Sequence, residues 1–218
     1  MPRQASSAPA LARRDENAEA TRRALLDAAR RAFAARGYAD TSLDDIVGPA
    51  RLTKGALYHH FKNKAAIFEA VYVELSEGLA AKVSEAVAAA AGDAWTSVEV
   101  ALASFLDASS EPSYARIVLR DAPVVLGERH GRELDQAIGL GLVRDLLGGL
   151  RDEGLLPPLP LTTLARVILA VTSEVVIAMA YADDPALARR EGTQVVLALL
   201  EGLTLKAKAR DKAKARRG

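Results

Sequence analysis

Two adjacent histidines, three lysines and two aromatic residues lie within the twelve residues 53–64, TKGALYHHFKNK. Neighbouring histidines would suit a metal or catalytic site, whereas lysines interleaved with a tyrosine would suit phosphate groups. On a helix, His59 and His60 would point about 100 degrees apart. The only other histidine is His130, and no HExxH spacing occurs. The sequence therefore predicts neither a metal site nor a cofactor, and we interpret His60 as a packing residue.

The apolar periodicity predicts two helices before this stretch. The first begins at Ala18 and ends at Gly37, which supplies a helix stop. The second follows Thr41-Ser42, either of which can cap it, with an aspartate three residues later as in a capping box. This second helix must be short, because Gly48 and Pro49 stand in its last turns.

A third helix begins after Thr53, and its residues Leu57 and Phe61 share one inward face. Three helices in about 45 residues, the last two joined by a tight turn, predict a helix-turn-helix, whose final helix enters the major groove of DNA. The capped N-terminus of that helix offers free N–H groups to a phosphate. Its outward residues are Thr53, Lys54, Gly55, Tyr58 and His59, and Lys62 and Lys64 add charge at its exit.

The segment from residue 41 to residue 68 closely resembles the DNA-binding domain of the TetR/AcrR family of bacterial regulators. The family pattern is aliphatic, Ser/Thr, Lys, Gly, any residue, Leu, Tyr, any residue, His, Phe, a polar residue and Lys, and this chain has LTKGALYHHFKNK. The resemblance covers about residues 18–75. It implies phosphate contacts from Thr41, Lys54, Tyr58 and Lys64, and groove-facing positions for Thr53, Gly55 and His59.

Two residues depart from the family pattern around the turn. Arg51 stands where the family usually has glycine, and Pro49 stands where it usually has alanine or a polar residue. We hypothesise that Arg51 adds a phosphate contact.

The rest of the chain is also predicted to be helical, so the fold class is all-α, with about nine helices. The predicted organisation is a disordered arm (1–17), a helix-turn-helix domain (18–64), an effector-binding and dimerisation domain (65–205) and a basic disordered tail (206–218). A helix at 64–91 connects the two domains, and Pro123 is expected to break or kink its helix. Asp184 and Pro185 begin a last helix that ends near Leu205.

Charge is distributed unevenly along the 218 residues. Residues 1–64 hold 12 Lys/Arg against 7 Asp/Glu, a net +5, residues 65–205 hold 10 against 20, a net −10, and residues 206–218 hold 7 against 1, a net +6. A basic end on an acidic body suggests an anionic partner such as DNA. The chain has no cysteine, which excludes disulfides and thiolate metal sites and fits a reducing cytoplasm. The TetR/AcrR resemblance implies that this cytoplasm is bacterial.

A membrane partner is not expected. The most apolar segment, residues 161–182, is interrupted by Arg166 and Glu174. The two helices at 161–181 and 187–203 are instead predicted to form a four-helix homodimer interface, which suits a palindromic operator in double-stranded DNA.

Polar residues set among apolar helices are the candidates for an effector pocket, whose ligand we expect to be a largely apolar small molecule. The candidates are Trp95, Tyr114, Arg116, Arg120, Asp121, His130, Thr172, Ser173, Glu174 and Tyr181.

Three functions compete. The first is a repressor that a small-molecule effector releases from DNA. The second is an enzyme, which the absence of a Cys nucleophile, a GxSxG motif and a phosphate-binding glycine loop disfavours. The third is a DNA-binding regulator or activator without a small-molecule effector, which the same helix-turn-helix would serve equally.

Overall fold

The computed structural model describes the backbone of residues 8–215 and the side chains of residues 16–204. These residues form nine helices and no strand, which confirms the all-α prediction. The helices are α1 (Ala8–Arg36), α2 (Leu43–Val47), α3 (Lys54–His60), α4 (Lys64–Ala89), α5 (Ala94–Ser109), α6, α7 (Glu128–Asp152), α8 (Leu161–Tyr181) and α9 (Pro185–Ala215). Helix α6 is continuous through three parts, Pro112–Tyr114, a π-helical Ala115–Asp121 and Ala122–Val125.

Both chain ends are more helical than the sequence predicts. Helix α1 begins at Ala8, inside the predicted disordered arm 1–17, and α9 continues to Ala215, through most of the predicted disordered tail 206–218. Helix replaces the predicted disorder there because residues 8–17 contain Ala, Leu and Arg and residues 206–215 contain Ala, Lys and Arg, all of which have high helix propensity. The remaining predicted disorder, at residues 1–7 and 216–218, lies outside the described residues.

The expected break at Pro123 takes the form of a π-helical turn. The N–H of Ala122 donates to the carbonyl of Ile117, five residues back. This widened turn precedes the proline, which has no N–H to contribute, so the helix continues past it to Val125.

One hydrophobic cluster joins α1, α2, α3 and the first half of α4. Leu25, Ile46 and Leu57 are fully buried there, and the rings of Phe33 and Phe68 meet edge to face at 5.3 Å. The same cluster includes Ile117, Val118 and Ala122 of α6. The helix-turn-helix core is therefore continuous with α6.

A second cluster joins α5, α7, α8 and α9, with Leu106, Leu147, Leu150 and Leu200 at its centre. The middle of α4 packs on α5 through Leu79, Val83 and Ala101. Helix α4 thus begins at the predicted domain boundary, residue 64, and packs on the first cluster with its start and on α5 with its middle.

Helix α8 is unusually apolar for a surface element. Among the described residues it is the one helix long and apolar enough to cross a membrane, with a mean hydropathy of 1.8, and only 28% of its most apolar stretch is buried. Core and interface helices of soluble proteins meet the same criterion, so this apolar surface requires a cover but does not identify it.

Candidate nucleic-acid interface and interior cavity

Helix α2 is fixed by a capping box at its first turn. The Ser42 hydroxyl accepts a hydrogen bond from the Asp45 N–H at 3.2 Å, and the Asp45 carboxylate accepts from the Ser42 N–H at 2.9 Å. The hydrogen bonds from Ser42, with a smaller contribution from the Arg36 guanidinium, lower the pKa of Asp45 to about 2. Of the two predicted caps, Ser42 is the one used.

Helix α3 presents the predicted DNA-facing residues to solvent. Its cap is Thr53, whose Oγ1 accepts from the Ala56 N–H at 3.1 Å, as predicted. Leu57 is fully buried and Phe61 nearly so. The opposite face is exposed, and it carries Thr53, Lys54, Gly55, Tyr58 and His59.

Tyr58 and Lys54 give this face an aromatic hydroxyl and a positive charge. The Tyr58 side chain is 55% exposed, which is unusual for so large a ring. Lys54 Nζ lies 2.9 Å from Asp44 Oδ2 of α2, and this hydrogen-bonded partner raises the pKa of Lys54. Both charges of the pair are exposed, so a phosphate can replace Asp44 at low cost.

The turn between α2 and α3 adopts a left-handed conformation at Arg51, with φ of 55°. Its backbone is held by the Leu52 N–H, which donates to the Val47 carbonyl at 2.9 Å. Glycine takes such a φ without strain, which explains why it would be the usual residue there. Pro49 causes no disruption because α2 has already ended at Val47.

Thr41 and Lys64, both predicted to contact phosphates, are engaged inside the protein instead. The Thr41 hydroxyl is buried and donates to the Gly37 carbonyl at 2.7 Å. Lys64 Nζ donates to the carbonyls of Tyr38 and Thr41 at 2.8 and 2.9 Å and lies 4.2 Å from the centre of the Tyr38 ring. These contacts fasten the α1–α2 loop to the start of α4. The phosphate contacts expected of these two side chains stay predictions, and both side chains have internal partners.

Two further residues of the stretch 53–64, Lys62 and His60, differ in their exposure. Lys62 is exposed and has no hydrogen-bonding or ionic partner among the described residues, so it is available to a phosphate. His60 is partly buried, with its ring 6.4 Å from that of Phe61.

A cavity of about 650 Å³ lies between α4, α5, α6, α7 and α8, with two residues of α9 at its edge. Its walls are mostly aliphatic, and its volume is within the range of small-molecule sites. Polar and charged groups from four helices interrupt these walls: Tyr72 and Ser76 of α4, Tyr114 of α6, Glu128, Arg132, Asp135 and Gln136 of α7, and Arg166, Thr172, Ser173 and Glu174 of α8.

A tyrosine and a carboxylate meet in the cavity wall. The buried Tyr72 hydroxyl donates to Asp135 Oδ1 across the α4–α7 packing. Burial raises the pKa of Asp135, although the Tyr72 hydrogen bond opposes that shift. Burial also raises the pKa of Tyr72 and of Tyr114, and the neighbouring Asp135 charge adds to both shifts.

Comparison with known proteins covers both parts of this architecture. A family described as bacterial regulatory proteins, tetR family, matches residues 25–71, and the tetracyclin repressor-like C-terminal domain matches residues 95–203. The crystal structure of a TetR-family transcriptional regulator from Pectobacterium atrosepticum is 32% identical, covers 87% of this chain and 96% of that one, and superposes with a TM-score of 0.75. This protein belongs to the TetR family.

Relatives by sequence agree with this assignment. The Transposon Tn10 TetC protein of Escherichia coli is 28% identical over 138 residues, which is 63% of this chain and 69% of that protein. The HTH-type transcriptional regulator TtgR of Pseudomonas putida is 46% identical over 65 residues, which is 30% of this chain and 31% of that protein. As a TetR-family member the chain is a DNA-binding transcriptional regulator, and this excludes the enzyme alternative.

The cavity of this TetR-family protein contains only part of the predicted pocket. Tyr114, Thr172, Ser173 and Glu174 line it. Trp95, Arg116, Arg120, Asp121, His130 and Tyr181 do not.

The candidates that do not line the cavity form contacts elsewhere or lie at the surface. Trp95 donates from Nε1 to Glu99 Oε1 at 3.1 Å, one turn along α5. His130 Nε2 lies 3.1 Å from Glu69 Oε1, and this pair joins α7 to α4. Arg120 is exposed, and Tyr181 is 63% exposed at the end of α8.

Arg116 and Asp121 hold the end of α1 rather than a ligand. Arg116 Nη2 donates to the Arg36 carbonyl at 2.8 Å, and the Tyr38 N–H donates to Asp121 Oδ2 at 2.7 Å. Between these contacts, Gly37 has φ of +81°, and a Cβ there would lie 2.5 Å from the Arg116 guanidinium. We name this contact of α6 with residues 36–38 the α6 clamp.

Sequence reasoning missed Tyr72, Ser76, Asp135 and Gln136. Tyr72 falls on the apolar stripe of α4, and Asp135 falls in a charged stretch of α7, so each resembles an ordinary core or surface residue. Their partnership crosses 63 positions of sequence, and no local spacing signals it.

Proposed function

We propose that this TetR-family regulator is a homodimeric repressor that binds a palindromic operator and is released when a small molecule occupies the cavity. The observation that carries this proposal is the double role of α6. Tyr114, Val118, Leu119 and Ala122 line the cavity, while the α6 clamp grips the end of α1.

Helix α6 therefore offers a direct mechanical route from cavity to DNA-binding surface. A ligand that binds more tightly when α6 has shifted would move residues 36–38, and with them the helix-turn-helix. Such a ligand must differ in binding free energy between the two arrangements, since otherwise no equilibrium moves. The π-helical segment of α6 has hydrogen bonds to carbonyls five residues back instead of four, and π-helical turns often occur at functional positions.

The dimer is supported by exposed apolar stripes on the last two helices. Val167, Ile177 and Tyr181 repeat along α8, and Leu187, Val195 and Leu199 repeat along α9, each at least 39% exposed. Spacings of four, eight and ten residues place each set on one helix face. A second copy of this chain would cover both stripes in a four-helix interface, and this assigns the apolar surface of α8 to a protein partner rather than to lipid.

The proposed DNA contacts are those that remain exposed on and beside α3. Lys54, Tyr58, Lys62 and Arg51 would bind phosphates, and Thr53, Gly55 and His59 would face the base edges. A Cβ at Gly55 would meet only Thr53 Oγ1 within the protein, at 3.6 Å. A larger side chain at this position would therefore extend away from the protein and crowd the DNA groove. The proposed location is the bacterial cytoplasm, where operator DNA is accessible.

The test is selection of bound duplexes from a random pool at two salt concentrations. We expect enrichment of one palindrome, with affinity that falls steeply as salt rises, because phosphate contacts release counterions. Enrichment of a single half-site would contradict the dimer, and salt-sensitive binding without any enriched sequence would contradict the repressor.

A matched pair of variants tests the dimer in the same assay. Val195→Glu places a charge on the proposed interface and should yield monomers in sedimentation and lose palindrome preference. Val124→Glu, at a side chain that is 86% exposed and far from both stripes, should keep the dimer. A screen of small molecules against the selected duplex then separates release by an effector from the alternative, a regulator or activator that senses none.

A further inference from the structure

Asp135 places a negative charge in the cavity wall without a cationic partner. Among residues 16–204 it forms no ion pair, and the one side chain that donates a hydrogen bond to it is the Tyr72 hydroxyl. A carboxylate removed from water is costly unless a cation or several donors compensate it. One neutral hydroxyl offsets little of that cost.

The neighbouring charged groups do not supply the missing cation. Arg132, one turn before Asp135 on α7, also lines the cavity, but its side chain is exposed and lies 3.6 Å from that of Glu128. His130 is paired with Glu69 on α4. Arg166 and Glu174 of α8 also line the cavity, and both side chains are exposed to solvent. The interior of the cavity is therefore left with the charge of Asp135 alone.

Aromatic rings and aliphatic walls surround this carboxylate. Tyr72, Tyr114 and Phe105 line the same cavity, and the electron-rich faces of such rings attract cations when water is excluded. Burial raises the pKa of Asp135, because the cavity wall stabilises its charge less well than water does, and an adjacent cation would reverse that shift.

We propose that the cavity binds an organic cation, an ammonium- or amidinium-headed molecule with an apolar body, and that Asp135 is its counter-ion. This inference deepens the effector site proposed above and rests on it. The cationic head would lie beside Asp135 and the tyrosine rings, and the apolar body would fill the space between α5 and α8. An anionic ligand would meet uncompensated repulsion from Asp135 at short range.

Three naphthalene probes with the same ring test the charge requirement: naphthylmethyl-trimethylammonium, naphthylmethanol and naphthylacetate. Binding to the full-length dimer is measured by the intrinsic fluorescence of the probes and by calorimetry. We expect the cation to bind roughly 10-fold or more tightly than the neutral probe, the scale of a desolvated charge contact, and the anion to bind most weakly.

Asp135→Asn retains the shape and the acceptor for Tyr72 but removes the charge. It should abolish most of the preference for the cation over the alcohol. Glu133→Gln removes the same charge from an exposed side chain two residues away, paired with Arg129 on the same helix, and should leave the preference within about twofold, because exposed charges are screened by solvent. A purely structural role for Asp135 would change the affinities of all three probes together and leave their ratios unaltered.

The proposal is overturned if the wild-type protein shows no preference for the cation, including the case in which no probe binds, or if Asp135→Asn keeps that preference. The proposed effector function fails separately. Cation binding through Asp135 without any effect on operator affinity would contradict release by an effector while supporting the cation site. Release of the operator by the neutral or anionic probe, unchanged in Asp135→Asn, would contradict the cation site while supporting effector release.

Discussion

The polar side chains of the helix-turn-helix have partners nearby in the chain, whereas two buried ones in the cavity wall, Tyr72 and Ser76, have a distant partner or none. Ser42 and Asp45 satisfy each other across three residues, and Thr53 caps its own helix. In the cavity, Tyr72 reaches Asp135 across 63 residues, and the buried Ser76 Oγ has no hydrogen-bonding partner among the described residues.

This difference indicates two kinds of surface. The helix-turn-helix is held rigidly before DNA arrives, so its exposed groups are already in place and binding costs little ordering entropy. The cavity contains polar groups that are incompletely satisfied, a pattern typical of sites that a ligand completes. Substitutions that remove a polar group should therefore destabilise the first region and stabilise the second.

The largest effect is expected for Lys64→Met, which removes a cation with three internal contacts. Two charge-assisted hydrogen bonds to the carbonyls of Tyr38 and Thr41 and the contact with the Tyr38 ring are lost. We expect the free energy of unfolding to fall by about 2 kcal/mol. Urea unfolding followed by circular dichroism measures this change.

Lys62→Met is the matched control for Lys64→Met. Lys62 is exposed and lacks a partner among the described residues, so stability should change by less than about 0.5 kcal/mol. In DNA binding, Lys62→Met should have the larger effect of the two variants, because Lys62 is a proposed phosphate contact. Its loss should lower the slope of log affinity against log salt concentration by about 1. Equal stability losses for the two variants would contradict the internal role of Lys64.

Asp135→Asn is expected to stabilise the protein, whereas Lys64→Met destabilises it. Removal of an unpaired charge from the cavity should raise the free energy of unfolding by about 1 kcal/mol at neutral pH, since asparagine can still accept from Tyr72. The folded-state pKa of Asp135 is raised above its unfolded value, so the wild-type protein loses stability as pH rises through that interval.

The advantage of Asp135→Asn should therefore be greatest at neutral pH and vanish below about pH 4, where Asp135 is protonated in both states. Urea unfolding at pH 7 and, where the protein remains folded, at lower pH measures it. A variant less stable than the wild-type protein at pH 7 would show that the carboxylate is satisfied in the free protein.

The same contrast explains how far the sequence alone predicts this molecule. The cap at Thr53, the inward positions of Leu57 and Phe61 and the exposed Lys54 and Tyr58 follow from local spacing, which a helix converts directly into direction. The burial of Thr41 could not be predicted, because a threonine beside a cap looks the same in sequence whether its hydroxyl faces water or, as here, the Gly37 carbonyl.

The cavity could not be predicted in this way, because its polar groups come together only through helix packing. Arg116 and Asp121 look like pocket residues by type, yet the helix orientation of α6 directs them to residues 36–38. Tyr114, on the same helix, does face the cavity. The phase of α6 depends on its π-helical turn, which shifts every later side chain around the axis, and no rule of 3.6-residue periodicity includes that shift.

The smallest stability effect, and the sharpest exception to the comparison, concerns Arg51. It lies in the well-partnered region but adopts a left-handed φ of 55° that costs a non-glycine residue about 1–2 kcal/mol. Arg51→Gly removes that cost but adds the greater backbone entropy of glycine in the unfolded chain. We therefore expect a net gain of about 0.5 kcal/mol in stability, measured by urea unfolding.

If Arg51 contacts a phosphate, the same substitution should weaken operator binding several-fold and lower the salt slope by about 1. Arg51→Lys separates the two effects, because it keeps the charge and the strained backbone and should retain most of the affinity. A more stable protein that binds DNA less tightly would show that the strain is maintained by the DNA contact. Unchanged affinity in Arg51→Gly would reject that contact and leave the left-handed arginine as a local defect in an otherwise satisfied surface.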